Sequence, residues 1–323
     1  MNSKSIIIFS ENQDYSTNYV MKWCKAKGYQ VNRINSDDRQ LKVFISERSV
    51  QVATSFDRFE IDKNSLCWFR RAEMPSVYVK YQHKDPLQNE IEIFNFTERK
   101  QAFSSLKSWV TQNCKYSSYI AADKFTKVDV LLKAAELDIQ VPDWITTSEK
   151  EYAVEFAKNY DFVACKPFEG FIFSDKDGAQ KTLTEKLNFS DISAFHPTFI
   201  PRFFQQYIEK KYELRNFYFH GRHFTYAILS QSNEKTAVDF RNYDNDRPNR
   251  CIPFVLPDEY SKKLTLLMQK LELDTGSCDI LVDKDDNYYF LEVNPVGQFG
   301  QGSHLCNQNI EEYIANHLMN MSL

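Results

Sequence analysis

Glycine is scarce in this chain: 8 of 323 residues, against about 7% in an ordinary globular protein. The shortage counts against collagen-like, Gly-rich linker and multi-turn β-repeat architectures. It also counts against a phosphate loop of the G-x-G-x-x-G or Walker type, and neither string occurs. No apolar run approaches the roughly 18 residues of a membrane span. The short run Ile6-Ile7-Ile8-Phe9 lacks a following cleavage-site pattern, which argues against a secretory signal. Paired cysteines are missing too. Cys24, Cys67, Cys114, Cys165, Cys251, Cys278 and Cys306 are scattered singly with no C-x-x-C, as expected of thiols in a reducing cytoplasm. Nor does one charge sign dominate: 40 basic and 44 acidic residues leave a net −4. We therefore expect neither a nucleic-acid nor a membrane partner. What the chain does have is a 42% apolar fraction rich in aromatics, 26 Phe and 18 Tyr among them. That is enough for a large core and about two or three domains.

The chain opens as strand, helix, strand. Ile6–Phe9 is followed by Tyr15, Tyr19 and Trp23 at helical spacing. Gly28 then sits at a helix C-terminus, and Tyr29–Ile34 forms a second strand. This βαβ start predicts a small α/β domain over 1–122. Within it, strand Ser65–Phe69 runs into Trp68-Phe69-Arg70-Arg71-Ala72-Glu73-Met74-Pro75. A long helix follows, whose apolar phase drifts between Leu87, Ile91, Phe94 and Ala102, Leu106, Trp109, so a kink or break is expected. A second segment, 123–202, carries helix Lys127–Leu137, strand Phe162–Lys166 and a hairpin around Gly170 and Gly178. The third, 203–323, is rich in antiparallel strands, with a two-residue turn at His220-Gly221.

The most informative stretch is Ser277–Asp283, the turn Lys284-Asp285-Asp286-Asn287, and Tyr288–Pro295. Pairing Asp283 with Tyr288 places Asp279 opposite Glu292, roughly 4.5–5.5 Å apart between Cβ atoms. Asn294 projects from the same face. Two carboxylates and an amide oxygen suit a hard cation such as Mg²⁺. Separate neutralisation of each acid by its own Lys or Arg is the alternative, and a one-residue slip would part the residues.

Lys166 ends an apolar strand, where an ammonium can meet a phosphate as a point charge or simply mark the solvent edge. Lys127 opens a helix, against the helix dipole. Phe203-Phe204-Gln205-Gln206-Tyr207-Ile208-Glu209 is extended and is read as an ordinary strand or as a linker able to hold a base between apolar groups. Glu213 and Arg215 share a strand face, and Arg241 lies in Asp239-Phe240-Arg241-Asn242.

In this order the pieces resemble the ATP-grasp ligase superfamily over most of the chain. The resemblance implies an α/β (α+β) ATP-grasp fold with an N-terminal α/β domain, a central lid domain and a C-terminal antiparallel-sheet domain. It implies that Lys127 and Lys166 contact ATP phosphates, that Gln206, Tyr207 and Ile208 hold adenine, and that Glu213 holds the ribose. Asp279, Glu292 and Asn294 would carry Mg²⁺, and Arg215 and Arg241 would hold an acyl phosphate and its developing charge. The string Trp68-Phe69-Arg70-Arg71 with Pro75 resembles the W-x-R-R-x-x-x-P string of graspetide and microviridin-type peptide macrocyclases. That family phosphorylates Asp or Glu side chains of a ribosomal precursor peptide carrying a leader segment. A Ser or Thr hydroxyl, or a Lys amine, then forms an ester or amide crosslink. The sequence departs from the superfamily pattern at Gln206, where many relatives carry an acid, and at the aromatic flap Glu169-Gly170-Phe171-Ile172-Phe173-Ser174. An ADP-forming amino-acid or glutamate ligase and a silent peptide-binding protein stay open as other readings, as does a homodimer.

Overall fold

The computed structural model describes residues 5–74, 85–118, 125–168, 172–175, 178–182, 184–231, 238 and 246–321. The chain divides into two compact units, Met1–Lys124 with Asn309–Leu323, and Phe125–Gln308. The C-terminal segment thus belongs with the first unit, whereas the sequence reading ran the third segment on to residue 323. A return of chain over more than a hundred residues leaves no local signal.

The first unit is built on β1 (Ser5–Ser10), α1 (Tyr15–Ala26) and β2 (Gln30–Asn35). β3 (Lys42–Ile45), β4 (Val50–Ala53) and β5 (Arg58–Ile61) form a separate antiparallel sheet, which the sequence reading missed. β6 (Leu66–Phe69), α2 (Pro86–Asn113) and β7 (Lys115–Ser117) complete the main parallel sheet, ordered β2-β1-β6-β7. Strand β1 is covered on both faces, so Ile6, Ile7, Ile8 and Phe9 are all fully buried.

The aromatic stripe Tyr15, Tyr19, Trp23 that marks the helical spacing faces outward, and α1 buries Thr17, Val20 and Cys24. Lysines cover two of the outward rings, Lys22 over Tyr19 and Lys27 over Trp23. α2 is one continuous helix of 28 residues, without the expected break. The apolar phase drifts because only its second half is packed, through Phe103, Leu106 and Val110, while Leu87, Ile91 and Phe94 are exposed.

The second unit opens with α3 (Lys127–Ala135), started by a capping box between Thr126 and Asp129. β8 (Trp144–Glu149), α4 (Lys150–Ala157), β9 (Val163–Lys166), the hairpin β10 (Ile172–Asp175) and β11 (Gly178–Lys181), β12 (Glu185–Leu187), α5 (Phe189–Ser193) and β13 (Thr198–Gln206) follow. Four of these strands form a sheet ordered β12-β9-β13-β8. A second sheet is ordered β16-β15-β14-β17-β18 and is antiparallel throughout. It comprises β14 (Lys210–Phe219), β15 (Arg222–Leu229), β16 (Arg250–Phe254), β17 (Thr275–Asp283) and β18 (Tyr288–Asn294). α6 (Asp258–Lys270) packs its Leu264, Leu267 and Met268 inward. The turn His220-Gly221 has φ of 45° and 85° at its two central residues, as a tight hairpin requires. The outer edge of β18 is covered by the segment after α3, where the Phe290 amide donates to the Gln140 carbonyl at 2.8 Å.

Candidate functional site

In the second unit, β9 and β13 of one sheet, β14, β17 and β18 of the other, and the start of α3 enclose a cavity of about 540 Å³. Lys127, Lys166, Gln206, Tyr207, Ile208, Glu213, Arg215, Asp279, Glu292 and Asn294 all line it. Residues up to 167 positions apart in the chain are thereby gathered at one place. Arg241 and its neighbours Asp239, Phe240 and Asn242, together with Glu169, Gly170 and Phe171 of the flap and Pro75, lie outside the described residues.

Asp279 and Glu292 pair directly across β17 and β18, by a different route from the one expected. The turn closes one residue earlier: Val282 pairs with Tyr288, and the Asp283 amide donates to the Asn287 carbonyl at 3.1 Å. Asp286, at φ 62°, takes the left-handed position that ends a three-residue loop. This register alone would set Asp279 opposite Leu291. A bulge at Leu291 shifts the ladder by one and brings Glu292 into place. Ser277 then pairs with Asn294, which keeps Asn294 on the same face.

A row of charges crosses the sheet. Arg215 pairs with Asp279 in the ladder, and its Nη1 lies 2.6 Å from Asp279 Oδ2. Asp279 faces Glu292, whose Oε2 lies 3.2 Å from Lys127 Nζ. Each acid is thus held by its own cation, the alternative that the sequence left open. Burial works against the Arg215 charge, but Asp279, Tyr226 and Glu292 together hold its pKa above the ordinary value.

Asn294 Oδ1 accepts the amides of Val296 and Gly297 at 3.1 and 3.3 Å. Gly297 has φ +62°, and a Cβ there would meet Phe217 at 2.9 Å, so this tight turn needs glycine. Among the described residues no group of three or more His, Cys, Asp and Glu converges. The donor set still fits a hard cation, whose shell would draw on the Asp279 and Glu292 carboxylates, the Asn294 amide and oxygens brought by a ligand.

The other wall is aromatic and basic. Lys166 Nζ donates to Gln205 Oε1 at 3.0 Å. Lys127 Nζ also sits 5.5 Å from the centre of the Phe203 ring, which stacks on Trp144. Phe203 to Gln206 belong to β13 and are paired on both sides, so the ordinary-strand reading holds for them. The Gln206 amide goes to the Asp143 carbonyl at 2.8 Å and the Tyr207 amide to the Phe162 carbonyl at 3.3 Å. Only beyond Tyr207 does the chain leave the sheet. Burial, then Glu209 and Glu213, raise the Tyr207 pKa, so its hydroxyl stays protonated.

Three lining or supporting residues escaped the sequence reading. Gln205 is 1% exposed, and its Nε2 is buried without a hydrogen-bond partner among the described residues. Lys210 Nζ lies 2.6 Å from Glu213 Oε1 and donates to the Val238 carbonyl at 3.2 Å. Ser230 Oγ donates to the same Glu213 Oε1 at 2.9 Å. On a regular strand residues three apart point to opposite faces. The β14 ladder shifts register between Lys210 and Tyr212, and that bulge lets Lys210 reach Glu213.

No protein-family model matches the chain, and no curated protein sequence matches it. Solved structures do. The Chryseobacterium gregarium RiPP-associated ATP-grasp ligase, in complex with ADP and a leader and core peptide, superposes with a TM-score of 0.79 at 22% identity, over 98% of this chain and 97% of that one. The macrocyclase MdnC of Microcystis aeruginosa, bound with precursor peptide MdnA, gives 0.80 at 23% identity, over 98% and 99%. The ATP-grasp ligase PsnB, complexed with a phosphomimetic variant of its minimal precursor, Mg and ADP, gives 0.75 at 18%, over 99% of both chains. The chain has the ATP-grasp fold of these ligases.

Proposed function

We propose that the chain is an ATP- and Mg²⁺-dependent peptide macrocyclase. It activates side-chain carboxylates of Asp or Glu in a ribosomal precursor peptide, and Ser or Thr hydroxyls or Lys amines close the ring. One observation carries the reading. The described residues that the family resemblance assigns to nucleotide, metal and oxyanion all line a single cavity, in a chain that matches peptide-bound ligases over nearly its full length.

ATP supplies the phosphoryl group that turns a poor carboxylate electrophile into an acyl phosphate with a good leaving group. The chain's own residues bind and orient. Lys166, steadied by Gln205, and Lys127 offer ammonium groups to phosphate oxygens. Lys127 holds Glu292 as it stands, so nucleotide binding would exchange one anionic partner for another and free Glu292 for the cation. With the Gln206 and Tyr207 amides spent inside the sheet, reading of a base edge falls to Ile208 and the side chains around it. Arg215 stays charged and is placed to stabilise negative charge developing on the activated carboxylate; Arg241 is proposed for the same task.

The test is to incubate the protein with ATP, Mg²⁺ and the acidic, Ser- or Thr-rich peptide encoded beside its gene, then weigh the product. Loss of one water per crosslink is the expected result. A mass gain with ADP release would instead identify an amino-acid or glutamate ligase, and peptide binding without turnover a silent binding protein.

A further inference from the structure

Tyr226 stands directly opposite Arg215 across β14 and β15, as Asp279 does across β14 and β17. Directly paired residues of a sheet project from the same face, so the row of charges continues past Arg215 to a phenol. Arg215 thus has a cross-strand neighbour on each side. Asp279 holds the guanidinium from one side at 2.6 Å. On the other stands a ring that is 2% exposed and packed with Ile228 and Cys306.

The ring is itself closely seated. A short helix, α7 (Gly300–Leu305), packs against β15. Its Gly302 lies flush with the ring: a Cβ there would come within 2.9 Å of Tyr226 Cδ1 and 3.0 Å of Cε1. Glycine inside a helix is disfavoured relative to alanine, and the chain has only 8 glycines. The missing side chain at Gly302 is what makes room for the ring. Beside it, Gln301 Oε1 accepts from the Tyr226 hydroxyl at 3.3 Å. Tyr226 is also among the groups that sustain the Arg215 charge.

A free arginine side chain has many rotamers, and charge stabilisation works through groups aimed before the reaction begins. We propose that Tyr226 is a positioning residue for Arg215. It confines the guanidinium against Asp279, aimed at the charge that develops on the activated carboxylate, while Gly302 and Gln301 fix the ring. This rests on the ligase reading above.

The test combines a direct view of Arg215 with kinetics, both on the full chain. The Nε–Hε NMR resonance of Arg215, identified by its loss in Arg215→Lys, is expected to be sharp in wild type and broadened in Tyr226→Leu. Kinetics use ATP, Mg²⁺ and the acidic, Ser- or Thr-rich peptide encoded beside the gene. In Tyr226→Leu kcat should fall about tenfold or more, while KM for ATP and ADP affinity stay within about twofold of wild type. Gly302→Ala, which displaces the ring without altering it, should reproduce both effects and serves if Tyr226→Leu folds poorly. Adding Gly302→Ala to Tyr226→Leu should slow turnover no further, because the shorter side chain leaves room for the methyl. An unchanged resonance, or wild-type kcat, in a folded variant overturns the inference. So do additive losses in the double variant, and so does an equal loss of ADP affinity and turnover, which marks a merely structural role. Failure of wild type to turn over peptide overturns the ligase reading instead, and the resonance then still decides whether Tyr226 orders Arg215.

Discussion

Asp279 and Glu292 stand opposite each other on adjacent strands, each held from its outer side by a cation on a different element, Arg215 on β14 and Lys127 on α3. The two cations are unequal. The Lys127–Glu292 pair is the more open, with side chains 17% and 30% exposed, against 12% and 18% for Arg215 and Asp279. The exposed pair is the one free to rearrange, and the two acids respond differently to substitution.

Glu292→Gln removes one charge from the open pair and keeps the shape. Such a pair contributes about 0–1 kcal/mol, so the melting temperature should stay close to wild type. Turnover should fall by about a hundredfold or more, because a neutral amide holds a hard cation less tightly than the carboxylate it replaces. ADP release alongside a thermal melt checks both halves. Full activity in a folded variant removes Glu292 from the metal set.

Arg215→Met should behave in the opposite way. It leaves Asp279 in a half-buried position without its cation, and breaking such a pair costs about 3–5 kcal/mol. A large loss of stability is therefore expected on denaturant unfolding, together with loss of activity. Adding Asp279→Leu should recover part of the stability and none of the activity. Additive losses in the double variant would show that the pair is not coupled.

The hairpin shows how much of this site the sequence could reveal. Alternation and turn residues were enough to place Asp279, Glu292 and Asn294 on one face, and the structure puts them there. The path differed, since the turn is one residue shorter and the Leu291 bulge restores the pairing. Bulges carry no dependable local signature, and the one beside Lys210 hid the Lys210–Glu213 pair altogether. In α1 the aromatic residues carry the legible helical period, while Val20 and Cys24 carry the packing. The β3-β4-β5 sheet was missed because its strands are only four residues long and half-exposed.

Thiol reactivity should single out Cys114. It is half-buried, and a hydrogen bond from the Cys67 thiol lowers its pKa, outweighing burial and Asp62. Burial raises the other six, Cys24 and Cys251 to about 11 and Cys278 to about 12, the last with help from Asp279. Thiolate is the nucleophile, so brief alkylation at neutral pH followed by peptide mapping should label Cys114 first. Labelling of Cys165 or Cys251 ahead of it would contradict this ordering.

His223 sets an acid limit on the second unit. Its ring nitrogens lie 3.1 Å from Asn216 Oδ1 and 2.9 Å from Thr265 Oγ1. Burial pushes its pKa from 6.5 down to about 4, the Ser261 backbone opposing this only in part. Above pH 6.5 the ring is neutral in both the folded and the unfolded chain and costs nothing. Below it the unfolded chain takes up a proton that the folded one resists, so stability drains away as pH falls from 6.5 towards 4, by about 3 kcal/mol in all. His220, also lowered by burial although Asp274 opposes it, adds to the same limb. Comparison with His223→Gln isolates the His223 share, because glutamine can bond to both neighbours and does not titrate. Unfolding free energies measured from pH 7 to pH 4 should fall less steeply in His223→Gln than in wild type. Parallel curves would mean that His223 takes up its proton as readily in the folded chain as in the unfolded one.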